Sequence, residues 1–280
     1  MTDQNLRFSR LRIEGWRQFD SVDIALHDRL TVLTGSNGAG KSSLLQIFSR
    51  HLGFNRQYLA TPQLSKEGTY TYLSGAFASF FRKNLFPKRP SSIDVGMITY
   101  SDGTETPLEL PQNVGVQYNL SIPAQKSIAG MFIDSNSPVS TYQVVNQIPT
   151  NLISSAQAYS NYSNEVHQKY VGGHSGFSPI YRMKEALVSM ATFGEGNRYV
   201  QGNPEVLKAY LGFTEILRKV LPEQIGFLDI AIRAPEVVIV TRSGEFLLDA
   251  SSGGLITLID IAWRLYLFSL DHNAFVVTMD

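Results

Sequence analysis

The chain has 280 residues, no cysteine and 24 residues of each charge sign, so its formal net charge is zero. The lack of cysteine excludes disulfides and thiolate metal sites, and zero net charge excludes a basic field over the whole surface for nucleic acid. An apolar fraction of 43% is enough for a sizeable core. Because the start lacks a secretory apolar segment, and Asp260 and Arg264 interrupt the most apolar stretch, we expect a cytoplasmic protein without a membrane span.

The first elements predicted along the chain are three short strands and a helix. Residues 8–15 and 21–26 alternate apolar and polar side chains, which is typical of half-buried strands. Residues 30–34 form a nearly continuous apolar run, the pattern of a buried central strand. Residues 43–52 have apolar side chains at helical spacing. The segment GSNGAGKS lies between that third strand and the helix.

This segment fits the G-x-x-x-x-G-K-[ST] pattern of a phosphate-binding P-loop. Glycines let backbone N–H groups point at phosphate oxygens, and the start of the helix adds unpaired N–H groups and a positive dipole end. Lys41 is expected to reach the β- and γ-phosphates of ATP, and the Ser42 hydroxyl to ligate Mg²⁺. The predicted nucleotide-binding residues of the loop are Gly35, Ser36, Asn37, Gly38, Ala39, Gly40, Lys41, Ser42 and Ser43.

The middle of the chain gives weaker signals. The basic block at residues 80–90 fits a solvated loop better than a nucleic-acid or partner contact, because such short blocks are common on surfaces. A hairpin is predicted over residues 93–110 with its turn at Asp102-Gly103. Strands are predicted at residues 116–122 and 128–134, and residues 135–182 are expected to be rich in loops.

The last third is predicted as helices and strands in alternation. Helices are expected at residues 184–192, 204–220 and 252–270, the last apolar almost all round and therefore buried. Strands are expected at residues 226–233, 236–241, 245–248 and 274–279, with a turn at Ser243-Gly244 and with Asp280 directly after the last strand.

A Ser-Gly-Gly loop begins the last helix, in the segment LDASSGGLITLIDIAW. Here the chain resembles the ABC ATPase superfamily, whose signature loop lies at a helix N-terminus and caps the γ-phosphate held by the opposite subunit. The resemblance assigns that role to Ser252, Gly253 and Gly254; the alternative is an ordinary Ser-Gly helix cap. The strand AFVVTMD then resembles a Walker B strand, whose aspartate, here Asp280, holds Mg²⁺.

The spacing of these motifs and the opening LRIEGWRQFDSVDIAL resemble the RecF/SMC-like and OLD-like branch, including "AAA family" ATPases linked to bacterial anti-phage systems and retrons. That resemblance implies an α/β P-loop NTPase fold with an N-terminal antiparallel β-subdomain and a central, mostly parallel sheet flanked by helices. It implies a single head divided at residues 1–52, 53–182 and 183–280. It also implies a homodimer around ATP and Mg²⁺, with DNA or an effector protein as partner, and catalytic roles for Lys41 and Asp280.

The sequence leaves several assignments open. The resemblance places a catalytic glutamate after Asp280, where the sequence ends, so we expect part of a longer ATPase with at most residual hydrolysis. The alternatives are a transporter nucleotide-binding subunit, which the wide motif spacing disfavours, and an ATP sensor that does not hydrolyse. The resemblance also implies a Q-loop glutamine, which is unassigned here: Asn136, close after the strand predicted at residues 128–134, is the candidate, and Gln147 lies nearby in sequence.

The remaining candidate binding residues are those that follow the first strand and the histidines. Trp16, Arg17 and Phe19 follow the first strand and could contact the nucleotide, although packing of the first hairpin is favoured. The histidines lack metal-ligand spacing and are interpreted as structural or surface residues: His27, His51, His167, His174 and His272.

Overall fold

The computed structural model describes residues 6–64, 68, 70–74, 92–111, 115–135 and 141–280. The basic block predicted at residues 80–90 and Asn136 lie outside the described residues. The chain divides into two units, unit 1 with Met1–Ser135 and Ala274–Asp280, and unit 2 with Asn136–Asn273. The divisions predicted from sequence lie after residues 52 and 182 instead. A single ATPase head formed by both units stays a prediction.

The described residues form thirteen strands and five α-helices. The strands are β1 (Phe8–Trp16), β2 (Phe19–Ala25), β3 (Tyr58–Leu59), β4 (Thr61–Leu64), β5 (Tyr70–Leu73), β6 (Ser92–Tyr100), β7 (Glu105–Pro111), β8 (Gln117–Tyr118), β9 (Gly130–Ile133), β10 (Phe227–Arg233), β11 (Glu236–Thr241), β12 (Gly244–Leu247) and β13 (Val276–Met279). The helices are α1 (Lys41–Ser49), α2 (Ser155–Tyr170), α3 (Pro179–Glu195), α4 (Pro204–Val220) and α5 (Gly253–Asp271).

Unit 1 contains an antiparallel sheet with the strand order β2-β1-β6-β7. Its inward side chains alternate along the strands, as the two-residue period of a strand requires, and Leu11, Ile13 and Ile98 are fully buried. The predicted hairpin is confirmed as β6 and β7, and Gly103 supplies the positive φ of 80° in its turn. Of the strand predicted at residues 116–122, only β8 and an isolated bridge at Ser121 form.

The prediction of a buried central strand at residues 30–34 is wrong. None of these residues is assigned to a strand, and Leu30 and Val32 are 72% and 67% exposed. The reason is local: the backbone N–H groups of Arg29 and Leu30 bond to the His27 ring, so the chain turns directly before the residues where a strand was expected. Among the described residues, the predicted parallel sheet is therefore present as one parallel pair, β9 with β13.

The described residues of unit 2 form four α-helices and an antiparallel sheet with the order β10-β11-β12. The prediction that residues 135–182 are mostly loops is wrong for α2, whose side chains are largely polar and of which only Ala158, Tyr162 and Glu165 are buried. Because so few positions face the core, the helical period is weak in the sequence. Helix α3 begins at Pro179, five residues before the predicted start, after the N-cap Ser178.

Helix α5 is the core helix of unit 2. By length and composition it is apolar enough to cross a membrane. However, it packs against α2 and α4, and Trp263 is fully buried. Near its centre, Arg264 donates to Asp260 at 2.5 Å, and Asp260 also accepts a hydrogen bond from Tyr162. A charged pair satisfied by a neighbouring helix is typical of a protein core.

Candidate functional site

The glycines of the P-loop adopt the backbone angles that the motif requires. Gly35, Gly38 and Gly40 have positive φ angles of 150°, 82° and 94°, a region that other residues enter only at a cost. The loop is closed by a hydrogen bond of 3.2 Å from the Ala39 N–H to the Ser36 carbonyl. Gly40 is the N-cap of α1, and no side chain caps the helix there by a hydrogen bond. The first N–H groups of α1 thus remain available to an anion.

Lys41 is the first residue of α1, and its ammonium group is turned back over the loop. Its Nζ donates hydrogen bonds of 2.9 Å to the carbonyls of Gly35 and Ser36. These carbonyls hold the ammonium group at the mouth of the loop, where the residues 36–39 are exposed. A cation in this position can bind phosphate oxygens without a change in the fold.

Ser42 and Asp280 meet although 238 residues separate them in the chain. The Ser42 Oγ donates a hydrogen bond of 2.9 Å to Oδ1 of Asp280. Helix α1 positions the serine, and the parallel pair β9–β13 positions the aspartate, whose N–H donates to the Ile133 carbonyl at 3.0 Å. A hydroxyl and a carboxylate oxygen are hard donors of the kind Mg²⁺ prefers, and Mg²⁺ keeps several waters of its own. These two residues therefore fit a magnesium ion at the edge of the loop.

A second carboxylate lies at the same edge. The parallel register pairs Met279 with Ile133, so Asp134 and Asp280 both directly follow the carboxyl ends of their strands. The sequence placed Asp134 at a strand end but gave it no role, because the neighbour of a strand in a sheet is not visible in a local pattern. Among the described residues, no group of three or more His, Asp or Glu side chains could hold a metal ion.

The turn between β1 and β2 lies directly against the P-loop. A Cβ added to Gly40 would be 2.1 Å from Gln18 Nε2 and 2.3 Å from the Phe19 ring. Trp16 is fully buried and its Nε1 donates to the Tyr118 hydroxyl at 3.2 Å. Trp16 and Phe19 therefore pack in the hairpin, the reading that the sequence favoured. The Arg17 guanidinium lies 5.4 Å from the Tyr58 ring centre.

The predicted signature loop lies in unit 2 at the start of α5. Ser252 is the N-cap, and its side chain accepts a hydrogen bond of 3.4 Å from the Leu255 N–H. Gly253 and Gly254 are the first two helical residues and are exposed. Their N–H groups belong to the first turn, where no intrahelical acceptor exists. This geometry offers two N–H groups and a helix dipole to an anion, and it also fits the alternative of a plain helix cap.

His51 is one of the histidines interpreted as structural, and it is buried beside Tyr100. Its Nε2 lies 2.8 Å from the Tyr100 hydroxyl, and the Phe8 ring contacts it edge-on at 4.8 Å. Burial lowers the pKa of His51 to about 4, because a buried site disfavours the charged ring. This side chain belongs to the core of unit 1.

Comparisons with known proteins match parts of the chain. The family described as "AAA domain" matches residues 10–69. A stretch of 52 residues is 44% identical to the chromosome partition protein Smc of Cereibacter sphaeroides, and it covers 18% of this chain and 4% of that protein. The two matches support a P-loop ATPase of the SMC/RecF type. The family match covers the region that contains the P-loop, and neither match tests the roles of Asp280 or of the loop at Ser252.

Proposed function

We propose that this chain is the nucleotide-binding head of an ABC-type ATPase in the SMC/RecF class, and that it binds ATP with Mg²⁺. The observation that carries the proposal is the contact of 2.9 Å between the Ser42 hydroxyl and Asp280. A chance glycine-rich turn gives no reason for a carboxylate from a distant strand to lie on the residue after its lysine. A P-loop followed by a Walker B strand explains this contact, because the serine of the loop and the aspartate of the strand hold the same metal ion.

Each residue of the loop has a distinct part in this proposal. The N–H groups of residues 36–42 and the start of α1 bind the phosphates. The ammonium group of Lys41 leaves part of its contact with the loop carbonyls and pairs with phosphate oxygens. Ser42 and Asp280 exchange their mutual hydrogen bond for ligation of Mg²⁺, which neutralises charge on the phosphates when it is bound.

Calorimetric titration of the chain with ATP tests this assignment. We expect Mg²⁺ to strengthen ATP binding in the wild type by about tenfold or more, since two ligands orient the ion. Asp280→Asn should remove most of that gain and Lys41→Ala should weaken binding with or without Mg²⁺. The control Asp28→Asn removes an exposed carboxylate of unit 1 that pairs with Arg7. If Asp280→Asn and Asp28→Asn bind Mg²⁺-ATP alike, Asp280 is not a metal ligand.

We further propose that two chains sandwich ATP, each placing Ser252, Gly253 and Gly254 on the γ-phosphate bound by the other. The exposed glycine N–H groups at the start of α5 support this role. In this proposal, hydrolysis opens the dimer and acts on DNA or an effector in the cytoplasm. The resemblance to ATPases of anti-phage systems favours a defence effector.

Sedimentation velocity with a slowly hydrolysed ATP analogue tests the sandwich. The wild type should shift from monomer to dimer on addition of nucleotide and Mg²⁺, whereas Lys41→Ala should stay monomeric at the same concentrations. A wild-type chain that binds nucleotide but remains monomeric would contradict the shared site and leave the P-loop assignment intact.

A further inference from the structure

A buried cluster of charges lies directly before the loop at Ser252. Lys184 of α3 has no exposed side-chain surface, and its Nζ donates a hydrogen bond of 2.5 Å to Oδ2 of Asp249. The Nζ atom also donates to the Gln143 carbonyl and lies 3.7 Å from Oε2 of Glu236. The side chains of Asp249 and Glu236 are 5% and 15% exposed. One ammonium group thus holds two carboxylates in the core of unit 2.

Ring and backbone contacts complete the surroundings of this lysine. The Tyr142 ring centre is 5.2 Å from Nζ, and the Tyr142 hydroxyl donates to Glu236 at 2.5 Å. The Gln143 side chain accepts from the Ser178 N–H at 2.7 Å, which ties this segment to the start of α3. Among the described residues, Oδ1 of Asp249 finds no hydrogen-bond partner. Lys184 is therefore the contact on which the Asp249 carboxylate depends.

Asp249, the partner of Lys184, lies three residues before the N-cap of α5. Asp249 lies in the short turn Leu248–Ala250, whose Leu248 is buried, and the Ser251 N–H donates to the Leu248 carbonyl at 3.2 Å. Ser252 follows as the N-cap of α5. A buried ion pair has a narrow range of favourable geometries, because any displacement leaves a charge unpaired in the interior. The ion pair thus fixes the position at which the turn leaves the core. It thereby also fixes the position of Ser252, Gly253 and Gly254, which follow the turn.

We propose that Lys184 and Asp249 are positioning residues, which hold Ser252, Gly253 and Gly254 in the geometry that receives a γ-phosphate. This inference rests on the proposed function for its consequence in ATP binding between chains, but the positioning itself is a property of unit 2. It concerns α3 and the turn before α5, and neither residue touches the nucleotide.

The cluster provides a closely matched pair of variants. Asp249→Asn and Glu236→Gln each remove one negative charge beside the same lysine, and in each case the other carboxylate remains to pair with Lys184. The two differ in location, since Glu236 begins β11 and lies outside the segment that leads into the loop. If the cluster only stabilised unit 2, both variants would change amide exchange and association in proportion to their loss of thermal stability.

Hydrogen–deuterium exchange of the 280-residue chain tests the positioning. We expect Asp249→Asn to raise the exchange rates of amides in residues 249–257 by about tenfold, and Glu236→Gln to change them by less than about threefold, since local opening tracks the lost local contact. Exchange in α3 and α4 should stay close to the wild type in both variants. Equal acceleration by the two variants, no acceleration by Asp249→Asn, or acceleration spread over α3 and α4 would overturn the inference.

Sedimentation with the ATP analogue tests the consequence. Asp249→Asn should weaken nucleotide-driven association by about tenfold, as loss of a charge-assisted hydrogen bond does, while its calorimetric affinity for ATP stays at the wild-type value. Glu236→Gln should associate as the wild type does, and association lost equally in both variants would overturn the inference. A wild-type chain that never associates overturns the proposed sandwich instead, and the exchange measurement still decides the positioning.

Discussion

The close fit of Gly40 between the P-loop and the first hairpin makes the substitution Gly40→Ala a quantitative test. Gly40 has a φ of 94°, and an alanine in the left-handed region costs about 1–2 kcal/mol. The added Cβ would also be 2.3 Å from the Phe19 ring. Phe19 is 8% exposed and packs in the core of unit 1, so its ring can move only into space that other core side chains fill. Such overpacking costs about 1–3 kcal/mol of stability. We expect Gly40→Ala to lower the free energy of unfolding by about 2–5 kcal/mol in total.

The matched control is Gly38→Ala in the same loop. Gly38 has a similar φ of 82°, but nothing lies within 4 Å of a Cβ added there. Only the backbone cost of about 1–2 kcal/mol then applies. The difference between the two variants measures the contact of the loop with Gln18 and Phe19 of the hairpin, and we expect it to be about 1–3 kcal/mol.

Urea unfolding measured by tryptophan fluorescence separates the two units. The chain has two tryptophans, one in each unit, so a Trp263→Phe background leaves Trp16 as the reporter of unit 1. Trp16 is fully buried and its emission should shift when unit 1 unfolds. If Gly40→Ala and Gly38→Ala differ by less than about 0.5 kcal/mol, which is the size of an ordinary surface effect, the packing of the hairpin against the loop is refuted.

Two further predictions concern the helix cap and a buried histidine. Ser252→Ala should destabilise unit 2 by about 1 kcal/mol, as loss of an N-cap does, and should abolish ATP-driven association in sedimentation. The control is Ser154→Ala: Ser154 is the N-cap of α2 and accepts a hydrogen bond of 3.2 Å from the Gln157 N–H, so its loss should cost the same stability and leave association intact. His51 binds its proton more weakly in the folded chain, with a pKa lowered from 6.5 to about 4, so the unfolded chain is protonated first as the pH falls. The wild type should therefore lose about 2–3 kcal/mol more stability than His51→Gln between pH 7 and pH 4, measured by urea unfolding at each pH; parallel curves for the two proteins would show that His51 does not titrate in the core.

The elements that could be predicted from sequence are those set by short-range patterns. The P-loop has a fixed spacing, and its helix follows directly. Helix α4 has the predicted bounds Pro204–Val220, because Asn203 and Pro204 mark its start and its apolar residues lie on one face. The hairpin of β6 and β7 was visible in its alternating strands and its Asp102-Gly103 turn.

The features that could not be predicted depend on contacts between distant segments or on a weak period. Helix α2 is mostly polar, so its few buried positions gave no clear signal. The apolar run at residues 30–34 has the composition of a strand, but bonds to the His27 ring turn the chain just before it. The contact between Lys184 and Asp249 joins residues 65 positions apart. No local rule distinguishes such a lysine from an ordinary polar residue of a helix surface.

A crystal structure of the chain with Mg²⁺ and a slowly hydrolysed ATP analogue would show whether Ser42 and Asp280 hold the metal ion of the bound nucleotide. We expect the triphosphate in the loop at residues 35–42, with Mg²⁺ about 2.1 Å from the Ser42 Oγ and held on its other side by Asp280, directly or through water. The hydrogen bond between Ser42 and Asp280 should then be replaced by the ion. Nucleotide bound elsewhere, or a triphosphate in the loop with that hydrogen bond intact and no metal beside Ser42, would contradict the account.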